Sequence, residues 1–438
     1  MGPQYFFGRP CPVCGSAGGR ALGRLSFAVF DQSPLDGDFT LAACPACGLA
    51  FYDFAAGDDS FSHYYCRNDY YSTTASPGSG GDSEFDRQHQ HGIIERLAPW
   101  LTSAGPAPIM EIGCGCGGLL SALRDKGFIN LYGVDLSPSS IAATLAGGLT
   151  AAVGPAEALP FPGLAPRLLI YSHVFEHLPA PLAALAEARR RLAPGGAVYI
   201  EVPDAENYGG GGAPFQDFYL EHVSHFSQTS LAALLTSAGF GIMALSRADF
   251  HLPGGRVQKV IWAVAAPTDY TDNTHFKHNT IITQNTDTAT NVPYTLNTHY
   301  PYNTHNTYLA PVTLSAPETV FEALGRYLQW SRNHPAILRL ERLAEEQRPV
   351  FIWGLSQLIM FLLGSTPLGR CNLRGFIDRD PFKQTRRLLG RAVLPPESLA
   401  EAAPGDLVLL AAWGQEEAQR QYLSQIGFQG RAENLLRV

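Results

Sequence analysis

Two matched pairs of cysteines constrain this chain more than any other feature. Cys11-Pro12-Val13-Cys14-Gly15 and Cys44-Pro45-Ala46-Cys47-Gly48 repeat one Cys-Pro-x-Cys-Gly pattern. Two cysteines separated by two residues, with Gly just after, form a tight knuckle that points both sulfurs at one ion, and two knuckles complete a tetrahedron. Four thiolates with no spare position describe a closed structural zinc site. A thioredoxin-like redox motif would instead occur singly. The stretch between the knuckles is too short to build a core, so metal binding is expected to replace one. Cys66, Cys114, Cys116 and Cys371 have no such partners and read as small buried hydrophobes or spacers in a glycine loop.

Composition bounds the rest. A length of 438 residues implies two to four domains. The net charge is −8, from 31 basic and 39 acidic residues, and no block of Lys or Arg supplies the footprint of a nucleic-acid binder. The longest apolar run, Val350 to Gly364, is interrupted by Ser356 and Gln357 and falls short of the roughly 20 residues that cross a bilayer. No basic region followed by an apolar stretch opens the chain, so a cytoplasmic protein with reduced thiols is expected.

Pro108 to Ile112 is a short apolar run, followed by Gly113-Cys114-Gly115-Cys116-Gly117-Gly118 and then helical spacing from Leu119 to Lys126. This is strand, tight loop, helix. Gly113, Gly115 and Gly118 satisfy the dinucleotide fingerprint. Gly113, Gly115 and Gly117, with Glu111 at the strand end, equally satisfy the acidic-x-G-x-G-x-G loop of S-adenosylmethionine (SAM) enzymes. Asp135 closes a second strand, Leu131 to Asp135, where either cofactor would want an acid for its ribose.

Later segments separate the two cofactors. Glu157-Ala158-Leu159-Pro160-Phe161, the run Leu168 to Tyr171 leading into Ser172-His173-Val174-Phe175-Glu176-His177-Leu178, and Leu192-Ala193-Pro194-Gly195-Gly196 before the strand Ala197 to Val202 follow in order. Over about residues 90 to 265 they resemble the successive motifs of class I SAM-dependent methyltransferases. The resemblance implies cofactor contacts from Glu111, Gly113, Gly115, Gly117, Asp135, Ala156, Glu157 and His173. Pro155 stands where that family usually has an acid for the adenine amine, and Glu157 is the candidate substitute. His173-x-x-Glu176-His177 also fits the inverted zincin pattern, but a strand precedes it and Pro179 and Pro181 follow, so a turn is expected there, not a zinc-binding helix. These residues either line the cofactor pocket or are satisfied polar groups at a turn.

Phe218 to Ser227 packs Tyr219, Glu221, His222 and His225 just before a helix spanning Gln228 to Gly239. With the cysteine knuckles and the SAM motifs, this Tyr-x-Glu-His segment resembles the zinc-containing sugar C-methyltransferases, which methylate nucleotide-linked deoxysugars. That resemblance covers nearly the whole chain. It implies that Tyr219, Glu221 and His222 line the sugar site, with His222 as general base, Glu221 orienting it and a tyrosine hydroxyl meeting the enolate oxygen. Carbon beside a ketone is no nucleophile until it loses a proton, and a neutral imidazole suits that step. A further tyrosine after the knuckles is implied, with Tyr71 and Tyr70 as candidates. His251, Gly254, Gly255 and Arg256 partly match another family stretch, with Leu252-Pro253 intervening.

The last third repeats the α/β pattern. Val350 to Trp353, Leu373 to Ile377 and Leu407 to Trp413 read as strands, the second closed by Asp378, but a single Gly354 replaces the glycine fingerprint, so NAD is not expected. Asp378-Arg379-Asp380-Pro381-Phe382-Lys383-Gln384 resembles the family's nucleotide-sugar anchor. Ser356, Gln357, Arg379 and Lys383 are candidates for a diphosphate; a degenerate structural domain is the alternative. Between the α/β units, hexads open with Asn273, Asn279, Asn285, Asn291, Asn297 and Asn303, each but the fourth followed by Thr. Two coils of β-helix are too few for stability, so a solvated polar insert is expected.

The expected fold is α/β: a zinc module over 1–75, a class I SAM methyltransferase Rossmann-like domain over 85–266, a disordered insert over 267–312 and a Rossmann-like, substrate-anchoring domain over 316–438. The expected activity is SAM-dependent C-methylation of a nucleotide-linked keto-deoxysugar, with structural Zn2+ and no nucleic-acid or membrane partner. A methyltransferase for oxygen or nitrogen, or a SAM- and zinc-binding regulator without activity, are the alternatives.

Overall fold

The computed structural model describes residues 5–54, 60–67, 78–210, 212–252, 256–268, 281–282, 294–297, 312–411 and 415–436. The N-terminal part comprises β1 (Tyr5–Phe6), β2 (Gly18–Ser26), β3 (Asp38–Ala43), β4 (Ala50–Asp53) and α1 (Ser60–Arg67). The knuckles sit at two of the turns. Gly15 and Gly48 take φ of 74° and 76°, each donating its N–H to the carbonyl of the first cysteine of its knuckle, a conformation that glycine adopts without strain.

The central unit runs α2 (Glu84–Ala104), β5 (Ile109–Ile112), α3 (Gly118–Asp125), β6 (Leu131–Asp135), α4 (Pro138–Ala146), β7 (Thr150–Val153), β8 (Leu168–Ser172), α5 (Pro181–Arg191), β9 (Ala197–Pro203), β10 (Ser224–His225), α6 (Gln228–Ser237), β11 (Phe240–Leu252) and β12 (Arg256–Pro267). Apart from β10, the strands form one sheet in the order β11-β12-β9-β8-β5-β6-β7. The five from β9 to β7 are parallel, whereas β12 is antiparallel to β9 and to β11. Counted from β5, that order is 3-2-1-4-5-7-6 with an antiparallel seventh strand, the class I SAM methyltransferase arrangement. Burial on both faces explains the apolar runs of β5, β8 and β9, broken only by Glu111, Ser172 and Glu201. The sheet's order reverses between β5 and β8, and it is there that such sheets hold ligands.

Two short strands within the Asn hexads, β13 (Ile281–Ile282) and β14 (Tyr294–Asn297), pair antiparallel with each other, and β14 with β15 (Val312–Leu314). The rest of the expected insert lies outside the described residues. The C-terminal unit follows: α7 (Pro317–Arg332), α8 (Pro335–Glu346), β16 (Val350–Trp353), α9 (Gln357–Ser365), β17 (Leu373–Ile377), α10 (Pro381–Gln384), β18 (Arg387–Leu388), β19 (Arg391–Leu394), β20 (Leu407–Leu410), α11 (Glu416–Gln425) and β21 (Arg431–Asn434). Its sheet, β18-β19-β17-β16-β20-β21, is parallel except at β18 and reverses between β16 and β20.

The cysteine module is wedged between the two α/β units. Its sheet continues through β4 into β10, and Cys11, Cys44 and Cys47 share a core with Phe226 and Leu231 of the central unit. On the other side Phe27 meets Phe361 of α9 edge to face at 5.1 Å, and Ser365 Oγ donates to the Ser26 carbonyl at 2.7 Å. The cysteine module therefore sets the relation of both larger units. Among the described residues no helix is long and apolar enough to cross a membrane.

Candidate active site

The four knuckle sulfurs lie within 4.8 Å of one another, with Cys11 Sγ 3.6 Å from Cys47 Sγ and Cys14 Sγ 3.4 Å from Cys44 Sγ. A tetrahedron of about 2.3 Å Zn–S bonds has edges of about 3.8 Å. The donor set and spacing are compatible with zinc, and all four thiols are free of disulfides. Cys114, Cys116 and Cys371 are buried singly, and the side chain of Cys66 lies outside the described residues.

A single cavity of about 1260 Å³ runs from the glycine loop to the C-terminal unit. At its inner end Gly113, Gly115 and Gly117 have φ of 73°, 51° and 80°. A Cβ at Gly113 would lie 2.5 Å from Val174 Cγ2, and one at Gly115 would lie 2.3 Å from the Ser79 carbonyl oxygen. Every N–H of this loop is already engaged. Those of Gly113 and Cys114 go to the Val134 carbonyl, that of Gly115 to Asp135 Oδ2 at 2.9 Å, that of Gly117 to Cys114, and those of Cys116 and Gly118 to Ser79 and Gly80. The loop itself therefore offers a pyrophosphate none of the N–H donors it needs; in the first turn of α3 the N–H groups of Leu119 and Leu120 have no acceptor among the described residues. The loop offers carboxylates instead. Glu111 is buried, and its Oε2 finds no hydrogen-bond partner among the described residues. Burial, with the charge of Asp135 added, pushes the Glu111 carboxyl well above its ordinary range. Burial also raises Asp135, against the N–H bonds it accepts from Ser137 and Gly115. Two acids without a matching cation suit a cationic, hydroxyl-bearing cofactor. Pro155, Ala156, Glu157 and His173 line the same end, and burial raises Glu157.

Glu201, on β9, organises the wall beside them. This fully buried carboxylate receives His89 Nε2 at 2.5 Å, Tyr199 OH at 2.9 Å, Ser172 Oγ at 3.2 Å and the Arg96 guanidinium. Burial would raise its pKa, but His89, Arg96 and His173 hold it below the usual carboxylate range. His89 and Arg96 come from α2, so Glu201 ties that helix over the cofactor end. His173, at φ 54°, contacts Glu176 Oε1 through Nδ1 at 3.0 Å. Burial alone would lower His173, and the Glu176 and Glu201 carboxylates reverse the direction to a net rise. His173 and His177 belong to different clusters, and a 3-10 turn over Phe175–His177, after His173, stands where the zincin pattern needs a helix, so the zincin geometry is absent here.

Past the cofactor end the cavity meets Gln216, Tyr219, His177 and His222. The Tyr219 ring stacks on His222 at 4.5 Å, and His177 meets it edge-on at 4.7 Å. Burial first, then the neighbouring His177, His225 and His173, pushes His222 well below the ordinary imidazole range, so it is neutral at pH 7. Its Nδ1 is buried without a partner among the described residues. Glu221 Oε1 accepts from Tyr64 OH at 2.7 Å and from Gln357 Nε2 at 2.9 Å. One carboxylate thus links α1, the base segment and α9. Tyr70 and Tyr71, like Gly254 and Gly255, lie outside the described residues. His251 is exposed, and its neighbour Phe250 lines the cavity instead, packing on His89 at 4.7 Å and His173 at 4.9 Å.

Residues 85–245 match the family model described as a methyltransferase domain. This segment is a methyltransferase domain of the SAM-dependent class. The C-methyltransferase NovU of Streptomyces niveus is 28% identical over 190 residues, which are 42% of this chain and 43% of that protein. The chain therefore matches less than half of that relative's length. Among solved structures, the [4+2]-cyclase SpnF is 17% identical, with a TM-score of 0.34 over 42% of this chain and 81% of that one. A SAM-dependent methyltransferase from Methanosarcina mazei is 19% identical, with a TM-score of 0.33 over 39% and 97%.

The wall opposite the methyltransferase domain comes from the C-terminal unit's own reversal point. Trp353, Gly354, Ser356, Gln357 and Arg379 line it. The Leu355 N–H donates to Asp378 Oδ2 at 2.8 Å. Lys383 Nζ lies 3.2 Å from that same oxygen and donates to the Leu355 carbonyl at 2.8 Å. Lys383 is buried, so its ammonium is engaged in bracing the turn rather than held out for a ligand. Arg379 is exposed, with its guanidinium over the rings of Trp353 at 5.8 Å and Tyr422 at 5.7 Å.

Proposed function

We propose that the protein is a SAM-dependent C-methyltransferase acting on a nucleotide-linked keto-deoxysugar, with structural Zn2+ at Cys11, Cys14, Cys44 and Cys47. The observation that carries this reading is the continuity of the cavity. It joins an acidic cofactor end, with Glu111, Asp135 and Glu157, to an end on a second α/β unit lined by Arg379 and the first turn of α9, with Tyr219 and His222 between. Its 1260 Å³ exceeds the roughly 300 to 1,000 Å³ of ordinary single-ligand pockets, leaving room for two molecules. NovU is a C-methyltransferase by name, which favours carbon as the acceptor.

In this reading Glu111, Asp135 and Glu157 hold the cofactor, whose orphaned carboxylate partner and glycine cradle are already present. SAM when bound supplies an electrophilic methyl on a sulfonium, and it leaves as the neutral thioether. Gly354, the first turn of α9 and Arg379 hold the diphosphate. His222 removes the proton from the carbon beside the ketone. The C–H electron pair becomes the enolate π bond, the carbonyl pair moves to oxygen, and a tyrosine hydroxyl donates to that oxygen. The enolate carbon would then take up the methyl that SAM supplies, forming the new C–C bond, with the thioether as leaving group. Base catalysis of this kind contributes about 10² to 10⁴ in rate.

The decisive experiment is exchange in D2O. With S-adenosylhomocysteine bound, the enzyme should exchange the proton beside the ketone of a nucleoside-diphosphate-linked keto-deoxyhexose, and His222→Asn should abolish that exchange. Methyl transfer to oxygen or nitrogen with no carbon exchange would refute the reading.

A further inference from the structure

A base with a depressed pKa holds the proton it abstracts poorly unless a negative charge faces the imidazolium. Glu221 Oε1 is bonded to Tyr64 and Gln357. The structure offers another carboxylate. Glu176, on the turn after β8, is 1% exposed and stands behind the cavity wall formed by His177 and His222. One of its carboxylate oxygens and one ring nitrogen each of His177 and His222 lie within 4.8 Å of one another. Its Oε1 meets His173 Nδ1, and its Oε2 is buried with no partner among the described residues. His222 Nδ1 is likewise buried and unpartnered.

A buried carboxylate and an imidazole in one cluster, each with one buried atom unpartnered among the described residues, make sense if a proton arrives during the reaction. Resting on the reading of His222 as base, we infer that Glu176 is its positioning residue and counter-charge, compensating the imidazolium formed when the substrate proton moves to His222. No other reactant is needed, since the proton passes from carbon to ring nitrogen and the C–H pair stays with the enolate. The groups facing His222 are His177, His173 and His225, all imidazoles whose charge would oppose protonation, the phenol of Tyr219 stacked on its ring, and the carboxylates of Glu176 and the neighbouring Glu221. Glu176 never meets substrate. Its influence reaches the chemistry through His177 and His222.

The test is the pH profile of deuterium exchange by Glu176→Gln on a nucleoside-diphosphate-linked keto-deoxyhexose. General-base exchange rises with pH as His222 loses its proton. Removing the counter-charge should move that rising limb to lower pH by about one unit and lower the plateau about 10- to 100-fold, with KM and the SAM Kd changed less than about twofold. Glu176→Asp, which keeps the charge, should keep the wild-type limb. A Glu176→Gln enzyme with an unmoved limb and a full plateau overturns the inference while leaving His222 as base. So does a Glu176→Asp profile displaced as far as that of the glutamine variant, which also serves if Glu176→Gln does not fold. Exchange at the wild-type rate by His222→Asn would instead remove the base reading itself.

Discussion

The two α/β units share one device and use it for opposite ends. In each, the acid closing the second strand accepts an N–H from the loop after the first strand: Gly115 to Asp135 at 2.9 Å, Leu355 to Asp378 at 2.8 Å. In the methyltransferase domain the acid is left without a cation beside an orphaned Glu111, and every loop N–H is taken. In the C-terminal unit Lys383 neutralises the acid and Arg379 faces the cavity, whereas the first-turn N–H groups of Leu119 and Leu120 in α3 and of Gln357 and Leu358 in α9 alike find no acceptor among the described residues. Balance of charge at one position, more than the fold, would thus separate the proposed site for a cation from the proposed site for an anion.

The largest disturbance should come from the element that holds both units. If the proposed Zn2+ holds the four cysteines, a chelator or Cys44→Ser should lower the Tm by on the order of 10 °C and abolish activity; scanning calorimetry with and without added Zn2+ reads this directly. Asp135→Ala should raise the SAM Kd about 10- to 100-fold and leave nucleoside diphosphate binding unchanged in calorimetric titration. Arg379→Ala should do the reverse more weakly, about tenfold and with added sensitivity to salt. A variant that damaged both ligands equally would erase the contrast between the units.

The smallest effect is one of pH. Glu111 and Asp135 have raised folded-state pKa values, so the folded protein takes up protons at a higher pH than the unfolded chain. Stability of the ligand-free protein should therefore rise as pH falls through those raised values, with the gain complete below the ordinary carboxylate pKa. SAM affinity should fall over the same range, because the carboxylates that receive it lose their charge. Glu111→Gln should raise the ligand-free Tm by a few degrees while weakening SAM, and nucleotide affinity should not follow.

Much of the fold was legible because it is local. The runs 131–135, 350–353 and 373–377 were read as strands and are β6, β16 and β17, since a buried parallel strand is a short apolar run between turn signals. The glycine loop left two cofactors open, and only in three dimensions are the N–H groups of residues 113–118 seen to be taken up within the protein. Glu201 was missed, although a lone carboxylate inside the apolar strand Ala197–Pro203 was its signal. The clamp of Ser79 and Gly80 on the loop, and the link from Gln357 through Glu221 to Tyr64, join residues far apart in the chain and leave no local pattern. Lys383 illustrates the opposite error: its basic side chain suggested a diphosphate ligand, but its position five residues after Asp378 returns it to that acid.

The central claim, that one cavity holds a cationic and an anionic ligand on separate α/β units, is tested most directly by titrating a nucleoside diphosphate into protein already saturated with SAM. The account predicts one nucleotide per chain, with a Kd within about twofold of that measured without SAM. Displacement of SAM by the nucleotide, or absence of any nucleotide binding, would contradict it.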